Sequence, residues 1–177
     1  MSSSKEFIPL AIAVLTVSDT RTAETDTSGN SLVEMLTAGG HRLHEKLIVK
    51  DDIYQIRAAL SRWIADGAVN AVILTGGTGF SGRDSTPEAV TPLFDKTIEG
   101  FGELFRQLSY EEIRTSTIQS RALAGLANST VIFCLPGSTG ACRTGWEKII
   151  REQLDSRHGP CNFTAHLLKK PGCGTRS

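Results

Sequence analysis

The feature that most limits how this chain can fold is a set of short segments in which apolar residues do not alternate with polar ones. Residues 9–17, 69–75 and 130–135 are dominated by aliphatic and other apolar side chains. A strand of this kind buries both faces, which is typical of a parallel sheet covered by helices on each side. Residues 41–50 alternate more regularly and form a further predicted strand. The sequence thus predicts four strands in a largely buried sheet.

Between these segments, apolar residues recur at the spacing of a helix. Thr27 or Ser28 is the predicted cap of the first helix, Asp51-Asp52 opens the second, and residues 85–88 form a predicted capping box. Strands alternating with helices predict an α/β fold, a three-layer α/β/α sandwich with a mostly parallel central sheet. The predicted helices are marked by Leu32 and Leu36, by Ile53, Ile56, Leu60, Trp63 and Ile64, by Phe101, Leu104, Phe105 and Leu108, by residues 115–126, and by Trp146, Ile149, Ile150 and Leu154.

The composition narrows the class of protein. The chain has 177 residues, 40% hydrophobic and 21% charged, with 19 basic and 19 acidic side chains. We predict one domain over residues 8–168, a short tail at 1–7 and a disordered tail at 169–177. A net charge of zero argues against general nucleic-acid binding. The four cysteines lack metal-site spacing, which predicts a reduced, metal-free protein as far as cysteine ligands are concerned.

A membrane or secretory role is not expected. The longest apolar run, residues 8–17, is about half of the ~20 residues that a membrane span needs. Glu6 cancels the charge of Lys5, and Ala11-Ile12-Ala13 lies inside the apolar stretch, so a buried strand is favoured over a signal peptide. We therefore expect a cytoplasmic protein.

The unusual residues follow the predicted strands. In open α/β sheets, ligands bind beyond the carboxyl ends of the strands, where glycine-rich turns and helix starts present backbone N–H groups to anions. The sequence therefore predicts a phosphate-binding cleft formed by Ser18 and Asp19, by Asp51 and Asp52, by Thr75, Gly76, Gly77, Thr78, Gly79, Arg83 and Asp84, and by Gly137 and Ser138.

Simpler explanations remain for several of these residues. Asp84 could have no role beyond that of a turn residue. Asp51 and Asp52 could have no role beyond capping a helix, and Asp19 could serve only to hold a loop in place. The glycines would let backbone approach a phosphate or purine, with Thr75 and Thr78 adding hydroxyl donors. Arg83, together with Arg106 and Arg143, is a candidate phosphate partner.

The string Gly77-x-Gly79-x-x-Gly82 matches the dinucleotide fingerprint in letters only. That fingerprint needs an immediate helix and an acidic residue about 20 residues later, at the end of the next strand. Here the next helix begins near Thr86, and the region ~20 residues on is predicted to be helical. No Gly-Lys-Ser/Thr follows, so the loop is not a Walker loop. A nicotinamide oxidoreductase is the weaker alternative.

A group of motifs resembles the MoaB/MogA family of molybdopterin-binding proteins, which act in molybdenum cofactor biosynthesis. The resemblance runs over about residues 8–168 in the family's order, and residues 26–30, Trp146 and 160–163 are more similar to the MoaB branch. The motifs are Leu74-Thr75-Gly76-Gly77-Thr78-Gly79, Arg83-Asp84-x-Thr86-Pro87-Glu88-Ala89, Glu99-Gly100-Phe101-Gly102-Glu103 with Arg106, Ser120-Arg121 with Ala124-Gly125, and Leu135-Pro136-Gly137-Ser138.

The resemblance implies the family's fold, trimers or hexamers, and contact with other proteins of the pathway. It also implies binding of molybdopterin and of a purine nucleotide, ATP or GTP, with Mg²⁺. Enzymes of the family transfer AMP to the pterin's terminal phosphate and release pyrophosphate. Their two aspartates correspond to Asp84 and to Asp51 or its neighbour Asp52, as catalytic residues or magnesium ligands. Some MoaB-type members lack clear activity, so a non-catalytic binding protein is the alternative.

The expected chemistry needs no general base. A phosphate monoester has a second pKa of ~6 and is already ionised at neutral pH. The aspartates are therefore interpreted as holding Mg²⁺, which takes one or two carboxylates and otherwise phosphate and water oxygens.

Overall fold

The computed structural model describes residues 6–168, and the chain there forms one six-stranded sheet in the order β2-β1-β3-β6-β5-β4. β1, β2, β3 and β6 are parallel, whereas β5 is antiparallel to β6 and β4 to β5. The carboxyl ends of four strands therefore meet at one edge. The strands are β1 (Ala11–Val17), β2 (Arg42–Val49), β3 (Ala71–Thr75), β4 (Lys96–Thr97), β5 (Leu123–Ala127) and β6 (Thr130–Leu135).

Helices cover both faces of this sheet. The predicted α/β/α sandwich with a mostly parallel sheet is confirmed. Short 3₁₀ turns occupy Thr91–Leu93 and Arg114–Gln119, and a π-helical segment, Trp146–Ile150, continues α5 into α6. The α-helices are α1 (Thr27–Ala38), α2 (Ile53–Ala65), α3 (Thr86–Val90), α4 (Glu99–Ile113), α5 (Thr139–Gly145), α6 (Arg151–Gln153) and α7 (Thr164–Leu167).

Two hydrophobic layers hold the sandwich together, as the period of two in a strand requires. Ile12 and Val14 of β1 face the layer formed with α1, α4 and the last long helix. Ala13 and Leu15 face the opposite layer, which contains the inner sides of α2 and α3. Burial of both faces explains why β1 carries no alternating polar residues.

The predicted helix over residues 115–126 is wrong. A positive φ of 54° at Arg114 ends α4, a 3₁₀ turn follows, and residues 123–127 pair with β6 as a strand. Leucine and alanine favour helices, but here the pairing with β6 outweighs that local preference. The connecting turn places Asn128 at φ 53°.

Two helix starts also differ from the predictions. Asp26, not Thr27 or Ser28, caps α1. Ser85 precedes α3, yet its hydroxyl donates to Asp51 instead of closing a capping box. Asp52 does cap α2, because its carboxylate accepts the amides of residues 54 and 55.

The ends of the domain are only partly described. The Phe7 ring packs 5.2 Å from the ring of His41, and the Arg157 guanidinium lies 4.9 Å from the Phe7 centroid. The chain thus contacts the domain body at its seventh residue. Of the tails predicted at 1–7 and 169–177, residues 1–5 and 169–177 lie outside the described residues.

Candidate functional site

A cavity of about 550 Å³ opens at the edge where the parallel strands end. It is lined by the loops after β1, β3 and β6, by α4 and α5, by the 3₁₀ turn after α4 and by the start of α1. The structure brings most of the predicted site residues to this cavity: Ser18, Thr75, Gly76, Gly77, Thr78, Gly79, Asp84, Gly137 and Ser138. Asp19, Asp51 and Arg83 lie beside it without lining it.

The loop after β3 has a backbone shape that depends on glycine. Gly76 and Gly77 have φ values of 103° and 66°. A Cβ atom on Gly76 would lie 2.2 Å from the Val17 carbonyl oxygen. Thr86 fixes the loop, since its hydroxyl donates to the Gly76 carbonyl at 2.9 Å and its amide donates to the Gly77 carbonyl at 3.0 Å. The turn is therefore close-packed and held from the start of α3.

Thr75 links the two glycine loops. Its hydroxyl donates to the Pro136 carbonyl at 3.0 Å, and the Cys142 thiol donates to the same hydroxyl oxygen at 3.1 Å. Burial raises the pKa of the Cys142 thiol to about 11, so it stays protonated and inert at neutral pH. The Thr75 side chain is committed to the protein, so this residue can offer a ligand little beyond its place in the wall.

The loop after β6 is built by helix capping. The Ser138 hydroxyl accepts the Ala141 amide at 3.1 Å and caps α5. The Gly137 carbonyl accepts a hydrogen bond of 2.9 Å from the Ser28 hydroxyl, at the start of α1. The helix that begins here continues through residue 153, so its first-turn amides and dipole favour an anion at this wall.

Asp84 lines the cavity beside the β3 loop. Its Oδ2 accepts the Ser81 amide at 2.7 Å. Arg121 fixes the surrounding backbone, because its guanidinium donates to the Gly79 and Asp84 carbonyls at 2.9 and 3.0 Å and pairs with Glu88. In the sequence, Arg121 is visible only as part of a motif and has no predicted role. An arginine joining distant backbone segments has no local sequence signal that could have revealed this.

Asp51 and Asp19 belong to a network behind the β3 loop. Asp51 Oδ1 accepts the Ser85 amide at 3.0 Å and the Ser85 hydroxyl at 2.5 Å. Asp19 Oδ1 accepts the Asp51 amide at 3.2 Å. Arg83 donates two hydrogen bonds to Asp19, from Nε to Oδ2 at 3.0 Å and from Nη2 to Oδ1 at 2.8 Å. This hydrogen bonding holds the pKa of the exposed Asp19 carboxyl below its usual range. Arg83 is thereby directed to Asp19, not to the cavity.

Two carboxylates lie against the glycine loop, one beside Gly77 and one beside Gly79. A Cβ atom on Gly77 would lie 2.7 Å from Asp51 Oδ2, and one on Gly79 would lie 2.8 Å from Asp84 Oδ2. Within residues 6–168 no cluster of three metal-ligating side chains exists. A pair of hard oxygen donors fits Mg²⁺ that completes its shell with phosphate and water, and it does not fit a metal held by protein alone.

An ion pair between buried Asp26 and partly exposed Lys46, missed in the sequence, contacts Thr16, which lines the cavity. Asp26 has no exposed surface, and its Oδ2 contacts Lys46 Nζ at 2.7 Å and the Thr16 hydroxyl at 2.8 Å. Burial tends to raise the pKa of Asp26, but the hydrogen bonds from Lys46, Thr16 and the Gly29 amide outweigh it, and the pKa is lowered. The sequence marks Asp26 only as part of the motif at residues 26–30 and does not indicate that this acid is buried or that it pairs with Lys46.

The chain is similar to proteins of a known family. The profile of the family described as "Probable molybdopterin binding domain" matches residues 13–156. Molybdenum cofactor biosynthesis protein B of Escherichia coli (strain K12) is 58% identical over 166 residues, which cover 94% of this chain and 98% of that protein.

Solved structures give the same result. A crystal structure of molybdenum cofactor biosynthesis protein B superposes with a TM-score of 0.81 at 44% identity, covering 83% of this chain and 92% of the other. The tungsten cofactor synthesizing protein MoaB from Pyrococcus furiosus has a TM-score of 0.74 at 38% identity, with coverage of 81% and 92%. These matches confirm the resemblance drawn from the motifs. Among residues 6–168, no helix is both long and apolar enough to cross a membrane.

Proposed function

Because the chain belongs to the molybdopterin-binding-domain family of molybdenum cofactor biosynthesis proteins, we propose that it binds molybdopterin and adenylylates it. In this reaction the terminal phosphate of the pterin attacks the α-phosphorus of ATP. A new P–O bond forms, the bond to the β-phosphate oxygen breaks, and pyrophosphate leaves. GTP is the alternative nucleotide, and the assay below compares the two.

One observation carries the proposal: two loops and a carboxylate share a single cavity. Gly76–Gly79, Gly137–Ser138 and Asp84 all line it. Phosphates need several donors together, since one helix dipole contributes only ~0.3–1 kcal/mol at an exposed site. Backbone amides from the β3 loop and from the start of α5 supply such a set.

The chain's own residues would act by position and charge. The attacking phosphate monoester is ionised at neutral pH, so no side chain has to remove a proton. Amides of the two loops would bind the phosphates of both substrates and align them for in-line displacement. Mg²⁺, held by Asp84 with Asp51 and by phosphate oxygens, would neutralise charge on the α-phosphate and on pyrophosphate.

The two aspartates have unequal parts in this proposal. Asp84 lines the cavity and spends one oxygen on a single amide, so its other oxygen can reach a ligand or a water. Asp51 is tied to Ser85 by Oδ1 and lies behind Gly77, so only Oδ2 is available. We expect Asp84 to matter more for turnover, with Asp51 acting partly by fixing the start of α3.

The test is an adenylyl-transfer assay with purified protein, molybdopterin, Mg²⁺ and either ATP or GTP. Adenylylated (or guanylylated) pterin and pyrophosphate are the readouts. Replacing Asp84 by asparagine is expected to lower turnover by about 10²-fold. Glu34→Gln, an exposed change on α1, is the matched control and should leave turnover unchanged. Absence of product with every divalent cation tested would refute the enzymatic proposal.

The placement of Asp51 favours a second candidate, a non-catalytic molybdopterin- or nucleotide-binding protein. A second carboxylate outside the cavity lining is compatible with binding and does not require turnover. In that case molybdopterin binds with the same affinity to the wild type and to Asp84→Asn, and no transfer is detected with either.

We also propose that the chain assembles as a trimer or hexamer. Several large apolar side chains on α4 and the turn after it are exposed, among them Tyr110 (48%), Ile113 (51%) and Ile118 (71%). Exposed apolar side chains gathered in one region are typical of protein contacts. Light scattering tests this by comparing the solution mass with three or six times the 19.1 kDa chain; a mass of one chain would contradict it.

A further inference from the structure

The end of the cavity away from the glycine loops has a different chemical character. α4 contributes Phe105, Ser109, Glu112 and Ile113, whose spacing puts them on one side of that helix. Gly140 and Thr144 of α5 line the cavity as well. This end therefore combines the apolar side chains of Phe105 and Ile113 with hydroxyl groups and a carboxylate, whereas the glycine end offers backbone amides and Asp84.

A carboxylate in a cavity built for phosphates needs an explanation. Glu112 Oε1 accepts the Thr144 hydroxyl at 2.9 Å and lies 3.3 Å from Lys148 Nζ. Oε2 lies 3.0 Å from the same Thr144 oxygen. A single hydroxyl proton is shared between the two carboxylate oxygens, so Glu112 keeps spare acceptor capacity, chiefly at Oε2.

The ion pair with Lys148 does not account for this arrangement. Lys148 lies between Glu112 and the more exposed Glu111, at 3.3 and 3.9 Å. Half-exposed pairs of this type contribute little to stability. Thr144, by contrast, is 5% exposed and commits its hydroxyl to Glu112, and both residues line the cavity. A buried group thus orients the carboxylate at the cavity wall.

We propose that Glu112 selects the heterocyclic ring of the substrate. Its two oxygens would accept two adjacent N–H groups, a ring N–H and the neighbouring exocyclic amino group, of a 2-amino-4-oxopyrimidine edge. Pterins and guanine both carry that edge, and we assign it to the pterin. The inference rests on the proposed function, because a pterin phosphate would place its oxyanion at the glycine loops and its N–H donors at the opposite end. The cavity volume, about 550 Å³, is that of a small-molecule site.

The test measures binding of the ring alone, without phosphate, nucleotide or metal. Pterin and lumazine differ in that lumazine carries a carbonyl oxygen in place of the 2-amino group. By fluorescence titration, the wild type should bind pterin at least about tenfold more tightly than lumazine, since the carboxylate would face a second acceptor. Glu112→Gln should remove this preference, because one of its two amide positions is a donor.

The chain offers a matched control. Glu111→Gln changes the neighbouring acid, which contacts the same Lys148 and does not line the cavity, so the preference for pterin should persist. Binding of inorganic pyrophosphate should be unchanged in both variants, which verifies that the glycine loops are intact. If Glu112→Gln also loses pyrophosphate binding, a second variant, Thr144→Val, provides the test. It keeps the side-chain volume but removes the hydroxyl that orients Glu112, so it should weaken the preference for pterin over lumazine.

Guanosine and xanthosine differ in the same way, since xanthosine carries a carbonyl oxygen in place of the 2-amino group, and binding of this pair distinguishes the two sources of the edge. We expect a larger preference within the pterin pair than within the nucleoside pair; the reverse order would overturn the assignment to the pterin. Equal binding of pterin and lumazine to the wild type, or an unchanged preference in Glu112→Gln, would overturn the role of Glu112. Failure of adenylyl transfer alone would refute the enzymatic proposal and leave this inference intact.

Discussion

The loops after β3 and β6 look alike in sequence, since each follows a buried strand and is rich in glycine, yet they are built in different ways. The β3 loop depends on left-handed backbone at Gly76 and Gly77 and on bonds from Thr86 and Arg121. The β6 loop leads directly into a capped helix and rests on Ser28. The β6 loop is therefore expected to tolerate added side-chain atoms that the β3 loop excludes, although both loops line the same cavity.

The largest expected difference comes from adding one methyl group to each loop. Gly76→Ala forces a Cβ atom to within 2.2 Å of the Val17 carbonyl and strains a φ of 103°, so we expect a loss of about 2–4 kcal/mol in the free energy of unfolding. Gly137→Ala places its Cβ at 3.4 Å from Gly76 Cα, an ordinary contact, and should cost less than about 1 kcal/mol. Urea denaturation of both variants measures these changes, and equal losses of unfolding free energy would show that the two loops do not differ in this way.

The second prediction concerns the buried pair that supports the β6 loop through α1. The folded-state pKa of Asp26 lies below its ordinary value of 3.8, so its stabilisation is present at neutral pH and is lost as pH falls through that value and on to the lower folded pKa. Asp26→Asn should cost about 2 kcal/mol at pH 7. The free energy of unfolding, measured from pH 7 to pH 3, should fall less steeply in the variant than in the wild type. Parallel pH curves would show that Asp26 does not contribute.

The third prediction concerns Arg121, which holds the backbone of the β3 loop. Arg121→Lys keeps the charge but cannot donate to two carbonyls and Glu88 at once, so the backbone around Asp84 should loosen. We expect about tenfold slower adenylyl transfer, with a stability loss of about 1 kcal/mol. Arg62→Lys, at an exposed ion pair with Glu45, is the control. A change in stability without any change in turnover would limit Arg121 to a purely structural part.

The smallest effect is expected at the cap of α5. Ser138→Ala removes the oxygen that accepts the Ala141 amide, which should cost about 1 kcal/mol in stability. Glycine at the same position should cost only a few tenths of a kcal/mol, since Gly is itself a tolerated cap. Thermal denaturation of the two variants measures the difference; a larger loss in Ser138→Gly would argue against capping as the main part of Ser138.

The sequence was informative where burial and pattern act locally. Strands buried on both faces indicated the layers of the fold, and the positions of the loops relative to the strands indicated the glycine end of the candidate cavity but not the side formed by α4 and the turn after it. The strand β5 escaped prediction because five residues of leucine, alanine and glycine have no strand character until β6 pairs with them. Its antiparallel pairing is a tertiary effect.

Side-chain roles that join distant segments could not be predicted either. Arg121 acts on backbone about 40 residues away, at Gly79 and Asp84, and Asp26 meets Lys46 from a neighbouring strand. The sequence could not show which of the two aspartates faces a ligand, and only the fold separates Asp84, in the cavity wall, from Asp51, next to Gly77 and outside the lining. The proposed part of each in transfer stays a prediction until the assay is done.

If the loops after β3 and β6 bind one oxyanion together, amide chemical shifts must report both loops in a single titration. Inorganic pyrophosphate with Mg²⁺ is titrated into ¹⁵N-labelled protein. We expect the amides of Gly77–Gly79 and those of Ser138–Gly140 to shift together and to follow one dissociation constant. Shifts confined to a single loop, or two loops that titrate with different constants, would show that the loops do not form one anion site.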